Sequence, residues 1–389
     1  MVKHSKLLLL CLLFSSGIGL LMSSFLILTT KFSLAFSQQF TWWQQLLALG
    51  LGTLILMSCH QLDAQLPWSP ATIITKWRQG QPLTLKHLGL NLLVAGLILS
   101  LGAGVAPGAT VVSATITLSI WMAAKLRYFY FNYATLQQLP WHQRRLRLVN
   151  PQHYLWSFAK RPTTTFPQQW ERRGLIGLGW LAGVSGFLWA QHQADLPNLL
   201  TSFGQSYWSW PQLWLIIPII IGGYGLRELR HHWSLRPVTV TTTTLIGGAL
   251  LIFSVARFAP HLLFSGQFGL PYLVQHGAQL TTTTLVSAAL LKLLFLAACR
   301  YLGWGGGDLL PLVVSGACLG LALAQLCPNL DPLLLIAIIS TSLAGALTAN
   351  PLLAGVGVSL FCPFNLWPVI GLTIAGLLGV KHVLKSNAN

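Results

Sequence analysis

"GAGVAPGATVV", Gly102 to Val112, lies inside one of the most apolar parts of the chain. Gly and Pro normally interrupt helices. Here they sit between two apolar runs, 87–103 and 109–126, each near the length of a membrane span. An interruption at membrane depth is tolerated only where the backbone is buried in protein or lines a cavity. Gly102, Gly104 and Gly108 permit close backbone approach, and Pro107 suits the first turn of a helix. A helix starting at about Pro107 and running through "GATVVSATITLSIWMAAKL" would carry free N–H groups and a partial positive charge into the bilayer. An anion is the natural partner of such an end. The same residues also suit a kink or a packing notch, and this stretch alone leaves both open.

The rest of the chain supports a membrane setting. Of 389 residues, 54% are hydrophobic and only 7% are charged, against roughly 25% in an ordinary soluble domain. Spanning or near-spanning apolar runs recur at 7–30, 43–59, 87–103, 109–126, 174–191, 211–226, 242–258, 283–302, 309–326, 332–348 and 351–380. The expected fold is all-α and polytopic, with roughly a dozen helices, several of them broken or re-entrant. Lys and Arg total 23 and Asp and Glu total 6, a net charge of +17. The basic residues sit in the gaps between apolar runs, as cytoplasmic loops require. No basic face with interleaved stacking aromatics remains, so nucleic acid is excluded as a partner.

The polar gap 125–173 reads as a cytoplasmic loop with interfacial helices, and the N-terminal run reads as a retained membrane helix that starts in the cytoplasm. The expected division is a first helix within 1–40, a membrane half over 41–226 and a second over 227–389, without an appended soluble domain. The expected location is the cell membrane, with both termini cytoplasmic. Cys11, Cys59, Cys299, Cys318, Cys327 and Cys362 form no CxxC pair and read as small apolar residues. Trp42, Trp43, Trp208 and Trp210 suit interfacial anchoring. "VTTTTLIGGALL" (240–251) and "LTTTTLVSAALL" (280–291) place Thr where it caps a helix start. His231 and His232, beside Arg227, Arg230 and Arg236, read as an interfacial basic cluster. Arg257 and Lys292 read as snorkelling side chains, with a contribution to an anion path as the alternative. No cofactor or metal site is indicated.

Two further stretches repeat the opening pattern. In "GWGGGDLLPLVVSGACLG" (303–320) a Gly-rich turn again precedes an apolar helix, and in "LPWSPATIITKW" (66–77) Ser69 suits an N-cap and Pro70 the first helical position. Three helix N-termini, widely spaced in sequence, are thereby available to one anion. These residues resemble the CLC chloride channel and transporter family. Its Gly-Gly-(Ile)-Phe-x-Pro motif and following Gly-Ala-x-x-Gly helix are similar to Gly306-Gly307-Asp308-Leu309-Leu310-Pro311 and Gly316-Ala317-Cys318-Leu319-Gly320. "GAGVAPGATVV" resembles a degenerate Gly-x-Ser-Leu-Gly-Pro-Glu-Gly-Pro-x-Val, with Pro107 at the first Pro. "LPWSPATI" resembles an eroded Gly-Ser-Gly-Ile-Pro with Pro70 at its Pro, and "NPLLAGVGVSL" is similar to the late Ala-Pro-Leu-Thr segment.

The resemblance runs from about residue 60 to 375 and implies an inverted-repeat membrane architecture, chloride or another small anion as ligand, and a homodimer in the lipid bilayer. It places Ser69, Pro70, Pro107, Gly108, Ala109, Gly307, Asp308, Leu309 and Leu310 along the anion site. The departures also carry expectations. The family's gating Glu falls on Gly108, its coordinating Ser falls near Pro67 or is lost, its Phe falls on Leu309, and a common late Glu falls near Leu360. The chain ends before the coordinating Tyr, and the inner proton-relay Glu falls in 162–172, where Glu171 is the acid available. Proton coupling needs carboxylates along a membrane path. The expectation is therefore an anion channel or uncoupled transporter, or else a transport-inactive membrane scaffold or regulatory protein. Asp308 falls among the amides that face the anion in that family. It reads either as a helix cap or as a tethered anion that occupies the site. A membrane enzyme is disfavoured, because HExxH and DxD patterns are absent.

Overall fold

The structure, a computed structural model, describes residues 2–81, 83–149, 169–194, 203–232, 240–266 and 269–386. Sixteen α-helices lie among the described residues: α1 (Val2–Leu34), α2 (Trp42–Leu62), α3 (Pro70–Arg78), α4 (Leu85–Ser100), α5 (Gly108–Phe131), α6 (Tyr133–Gln138), α7 (Trp141–Val149), α8 (Gln169–His192), α9 (Ile216–His232), α10 (Thr242–Phe258), α11 (Gly269–His276), α12 (Thr282–Tyr301), α13 (Leu309–Leu326), α14 (Pro332–Thr348), α15 (Pro351–Ser359) and α16 (Trp367–Ser386). Seven helical segments are long and apolar enough to cross a membrane, and α4, α10 and α14 are shorter apolar helices. The fold is all-α and polytopic, as the runs require.

The helix starts follow local chemistry. Thr241 accepts the Thr244 N–H in a capping box, Thr281 accepts the Thr284 N–H, and Asn350 and Asp331 cap α15 and α14 in the same way. The two Thr-rich stretches are therefore capping elements. The last apolar run, 351–380, is two helices rather than one: α15 ends at Ser359 and α16 begins at Trp367, with Pro363 between them. Pro363 has no N–H to continue the ladder, and φ −64, ψ 156 there carries the chain out of helical geometry. All six cysteines are free, and five of them are buried.

The chain divides into two compact units, each built from separated segments. One comprises Met1–Phe32, Asp63–Leu97 and Ala109–Pro197. Within it, Met22, Leu88, Ala114 and Leu118 form an apolar core, and a second cluster joins Leu7 and Cys11 to Leu126, Phe129 and Leu136. Gly183 and Gly186 let α8 lie directly against the α1 backbone: a Cβ on Gly186 would sit 2.9 Å from the Ser16 carbonyl oxygen.

The other unit comprises Ser33–Leu62, Ile98–Gly108 and Asn198–Asn389. Its centre is α13, buried along most of its length between α12 and α14. A Cβ at Gly316 would stand 2.5 Å from the Ser340 Cα, and one at Gly320 would stand 2.8 Å from the Ile336 Cα. This is the small-residue contact that lets membrane helices touch backbone to backbone. The Gly-Ala-x-x-Gly spacing is thus spent on seating α13 against α14. A polar clamp closes the far end. Besides capping α14 through the Leu334 N–H, the Asp331 carboxylate accepts the Tyr207 N–H at 2.7 Å and the Ser206 hydroxyl at 3.0 Å. Asp331→Ala removes all three bonds and is expected to lower stability by about 2 kcal/mol, read as a lower midpoint in a fluorescence-detected thermal melt of the detergent-solubilised protein.

Candidate functional site: two paired glycine-rich loops

The second unit carries two of the three Gly-rich helix starts, and it joins them directly. The Ala106 N–H donates to the Gly307 carbonyl at 2.7 Å, and the Gly307 N–H donates back to the Ala106 carbonyl at 3.1 Å. Pro107 and Gly108 follow Ala106, and Asp308 and Leu309 follow Gly307. The tip of α5 and the tip of α13 therefore leave one two-bond bridge. The first few N–H groups of a helix have no partner within it, so one antiparallel bridge has such a set of donors, and a positive helix end, starting two residues beyond it on each of its two segments.

Both loops turn where only Gly fits comfortably: Gly102 has φ +96 and Gly303 has φ +85. Between these turns and the bridge the loops interlock with α12 and with each other. Gly104 lies against the Phe295 ring, at 2.6 Å from where a Cβ would stand, and its N–H faces Cys299 Sγ at 3.5 Å. Gly306 lies against Val105, with its Cβ position 2.7 Å from that side chain. Trp304 is fully buried, and its indole N–H donates to the Leu245 carbonyl at 2.9 Å.

Lys292 supports this arrangement from behind. Its side chain is 3% exposed. Its ammonium donates to the Leu262 carbonyl at 2.7 Å and also to the carbonyls of Leu263 and Phe264. The Phe264 N–H in turn donates to the Gly102 carbonyl at 3.2 Å. The snorkelling expectation is corrected: the loop 262–264 comes inward to solvate the charge, so Lys292 has no need to reach an interface. Arg257 is exposed.

Asp308 departs from the capping expectation as well. It occupies the N-cap position of α13, with φ −95 and ψ −20, yet its side chain makes no cap hydrogen bond. Its Oδ2 instead pairs with the Arg300 guanidinium. Sequence reasoning missed Arg300. The signal was present in "RYLGWGGGD": opposite charges flank a Gly-rich turn tight enough to bring them together. Gly307, Asp308, Leu309, Pro107 and Gly108 are all at or next to the bridge, and Leu310 is the second residue of α13. A Cβ built on Gly108 meets nothing within 4 Å.

The residues 69, 70 and 109 lie in the first unit. Ser69 caps α3 by accepting the Thr72 N–H at 3.1 Å, and Pro70 is the first residue of that helix, as the sequence reads. The approach to α3 is fixed by Trp68, whose N–H donates to Asn91 Oδ1 at 2.6 Å and whose carbonyl accepts the Ser113 hydroxyl at 2.9 Å. Ala109 is the second residue of α5.

The carboxylates elsewhere have local duties. Asp63 accepts the Gln65 N–H and the Trp68 indole N–H, Asp331 holds its clamp, and Glu228 is exposed. The side chains of Glu171, Arg230, His231 and His232, together with Asp195 and Arg236, lie outside the described residues, as does the 150–168 part of the 125–173 gap.

The family described as voltage gated chloride channel matches residues 109–377. The chain belongs to the voltage gated chloride channel family. The match takes in the Gly303–Gly320 stretch and starts one residue after Gly108. A search of curated proteins finds no match. Among solved structures, the crystal structure of a slow cyanobacterial Cl−/H+ antiporter is similar, with a TM-score of 0.68 over 96% of this chain and 94% of that one at 14% sequence identity. At that identity the likeness speaks for the fold: this is the architecture of an integral, multi-pass CLC protein.

Proposed function

We propose that the chain conducts chloride-like anions through the site where α5 and α13 begin, as a channel or uncoupled transporter. The observation that carries this reading is the Ala106–Gly307 bridge. It ties together the two loops that lead into two helix N-termini, whose backbone N–H groups and dipoles favour an anion. Pro107, Gly108, Gly307, Asp308, Leu309 and Leu310 are the residues of this site.

Two features argue for uncoupled movement. Position 108, where the family's gating Glu falls, is a Gly and offers no carboxyl to take up a proton or to compete with the anion. The described carboxylates Asp63, Asp308 and Asp331 are engaged by N–H, hydroxyl or guanidinium partners, which leaves them poor proton carriers along a membrane path.

The test is flux from liposomes. Purified protein reconstituted with internal chloride is expected to leak chloride or fluoride once valinomycin removes the potassium limit, at a rate indifferent to an imposed pH gradient. Chloride uptake driven by a pH gradient overturns the assignment of uncoupled movement. Silence toward every halide overturns conduction and leaves the transport-inactive scaffold as the function.

A further inference from the structure

We infer that Arg300 is a positioning residue that holds the Asp308 carboxylate off the anion site, so that the Arg300–Asp308 pair acts as a latch on conduction. The inference rests on the anion-site reading above and adds to it a regulating charge at a position other than 108.

The geometry supplies each part. Asp308 stands at the N-cap position of α13, immediately after the bridging Gly307. A carboxylate at an N-cap normally turns back onto the N–H groups of the first turn, where it gains both hydrogen bonds and the helix dipole. Here it makes no such bond. Pro311 has no N–H, and the Leu312 N–H is already spent on the Asp308 carbonyl at 3.2 Å. The donors at this tip are therefore the amides of Leu309 and Leu310, the ones an anion would use. Arg300 lies in the last turn of α12, and the Gly303 turn returns the chain so that its guanidinium meets Asp308 Oδ2. The Arg300 side chain is 44% exposed while that of Asp308 is 12% exposed. The carboxylate is thus sheltered at the tip, and its partner reaches it from the more exposed side.

This arrangement makes the pair a choice between two partners for one carboxylate. Paired with Arg300, Asp308 is neutralised and the two amides stay available to an anion. Without the guanidinium, the nearest favourable place for the carboxylate is the helix tip itself. There it occupies the amides as a tethered competitor. Arg300 thereby controls anion occupancy without touching the anion.

The consequence is a pattern across three variants, measured as valinomycin-dependent chloride efflux from liposomes. Arg300→Gln is expected to slow efflux about tenfold, the scale of a carboxylate's preference for a helix N-terminus. Asp308→Asn is expected to speed it above wild type. The double variant is expected to recover at least the wild-type rate. A purely structural role for Arg300 predicts that the double variant stays as slow as Arg300→Gln. That result overturns the latch, as does an Arg300→Gln variant as fast as wild type.

Chloride-dependent thermal stabilisation of the detergent-solubilised protein, measured against gluconate, reads the same pattern without flux: lost in Arg300→Gln and regained in the double variant. If wild type conducts nothing, the conduction reading fails, and this measurement decides the latch alone.

Discussion

Lys292→Met is expected to lower the stability of the protein by about 3 kcal/mol, because it strips a charged donor from three buried carbonyls at once. Met keeps the unbranched, apolar length of the lysine stem, so the substitution removes the ammonium while leaving the packing of α12 largely filled. What it leaves behind are the carbonyls of Leu262, Leu263 and Phe264 facing the vacated ammonium position. A buried acceptor that loses its donor costs far more than the net worth of the bond. The loop has little freedom to turn them elsewhere. Phe264 sits at φ +61, a conformation a bulky side chain rarely adopts, and its N–H is committed to Gly102. The damage also travels. The Phe264–Gly102 bond anchors the loop that carries Ala106, so flux is expected to fall further than the surviving folded fraction accounts for. Thermal melts followed by size-exclusion fluorescence measure the first effect, and efflux per folded protein measures the second. Lys292→Arg, which keeps the charge, is expected to fall between the two. A Met variant as stable as wild type would show that the three carbonyls do not depend on the ammonium.

The contrast between Lys292 and the helix caps shows what the sequence could and could not reveal. Ser69, Thr241, Thr281 and Asp331 cap helices with N–H groups three residues on, so each signal and its answer lie in the same short window. The membrane runs are legible for the same reason, since span length and hydropathy are local. Pro363 is an equally local signal, and it divides the 351–380 run. Lys292 answers to carbonyls 28 to 30 residues upstream, and Asp331 to backbone 124 residues away. No periodicity carries that information. The Ala106–Gly307 bridge spans still more of the chain. Only the resemblance of both loops to motifs of one family suggested that they belong together; the family match covers the second loop and starts at Ala109, just past the first. The candidate site was thus readable as two Gly-rich starts, while the Arg300 partner of Asp308 emerged only when the Gly303 turn was seen to fold back on itself.

Gly108→Glu is expected to close the proposed anion path at neutral pH and reopen it in acid. A side chain fits at this position, because a Cβ on Gly108 meets no atom within 4 Å. A Glu in the first turn of α5 also suits the helix dipole, so the variant is expected to fold at least as well as wild type. Two residues beyond the bridge, its carboxylate can reach the N–H groups that the reading above assigns to the anion. A charge held at a helix N-terminus by one to two kcal/mol suppresses efflux by roughly ten- to thirtyfold. The direction of the pH response follows from which form competes. Above the ordinary Glu range, near about 4.3, the group is an anion and occupies the site. The helix end that holds the anion favours the charged form, so the group becomes neutral and releases the amides only as pH falls below that range; efflux then rises with acid, whereas wild-type efflux stays flat. Gly108→Gln separates charge from bulk: it carries nearly the same volume and is expected to conduct without pH dependence. If Gly108→Glu conducts like wild type at every pH, the tip of α5 lies off the conduction path and the proposed site is wrong. If Gln and Glu block equally, the site is narrow there and the carboxylate has no special part in closing it.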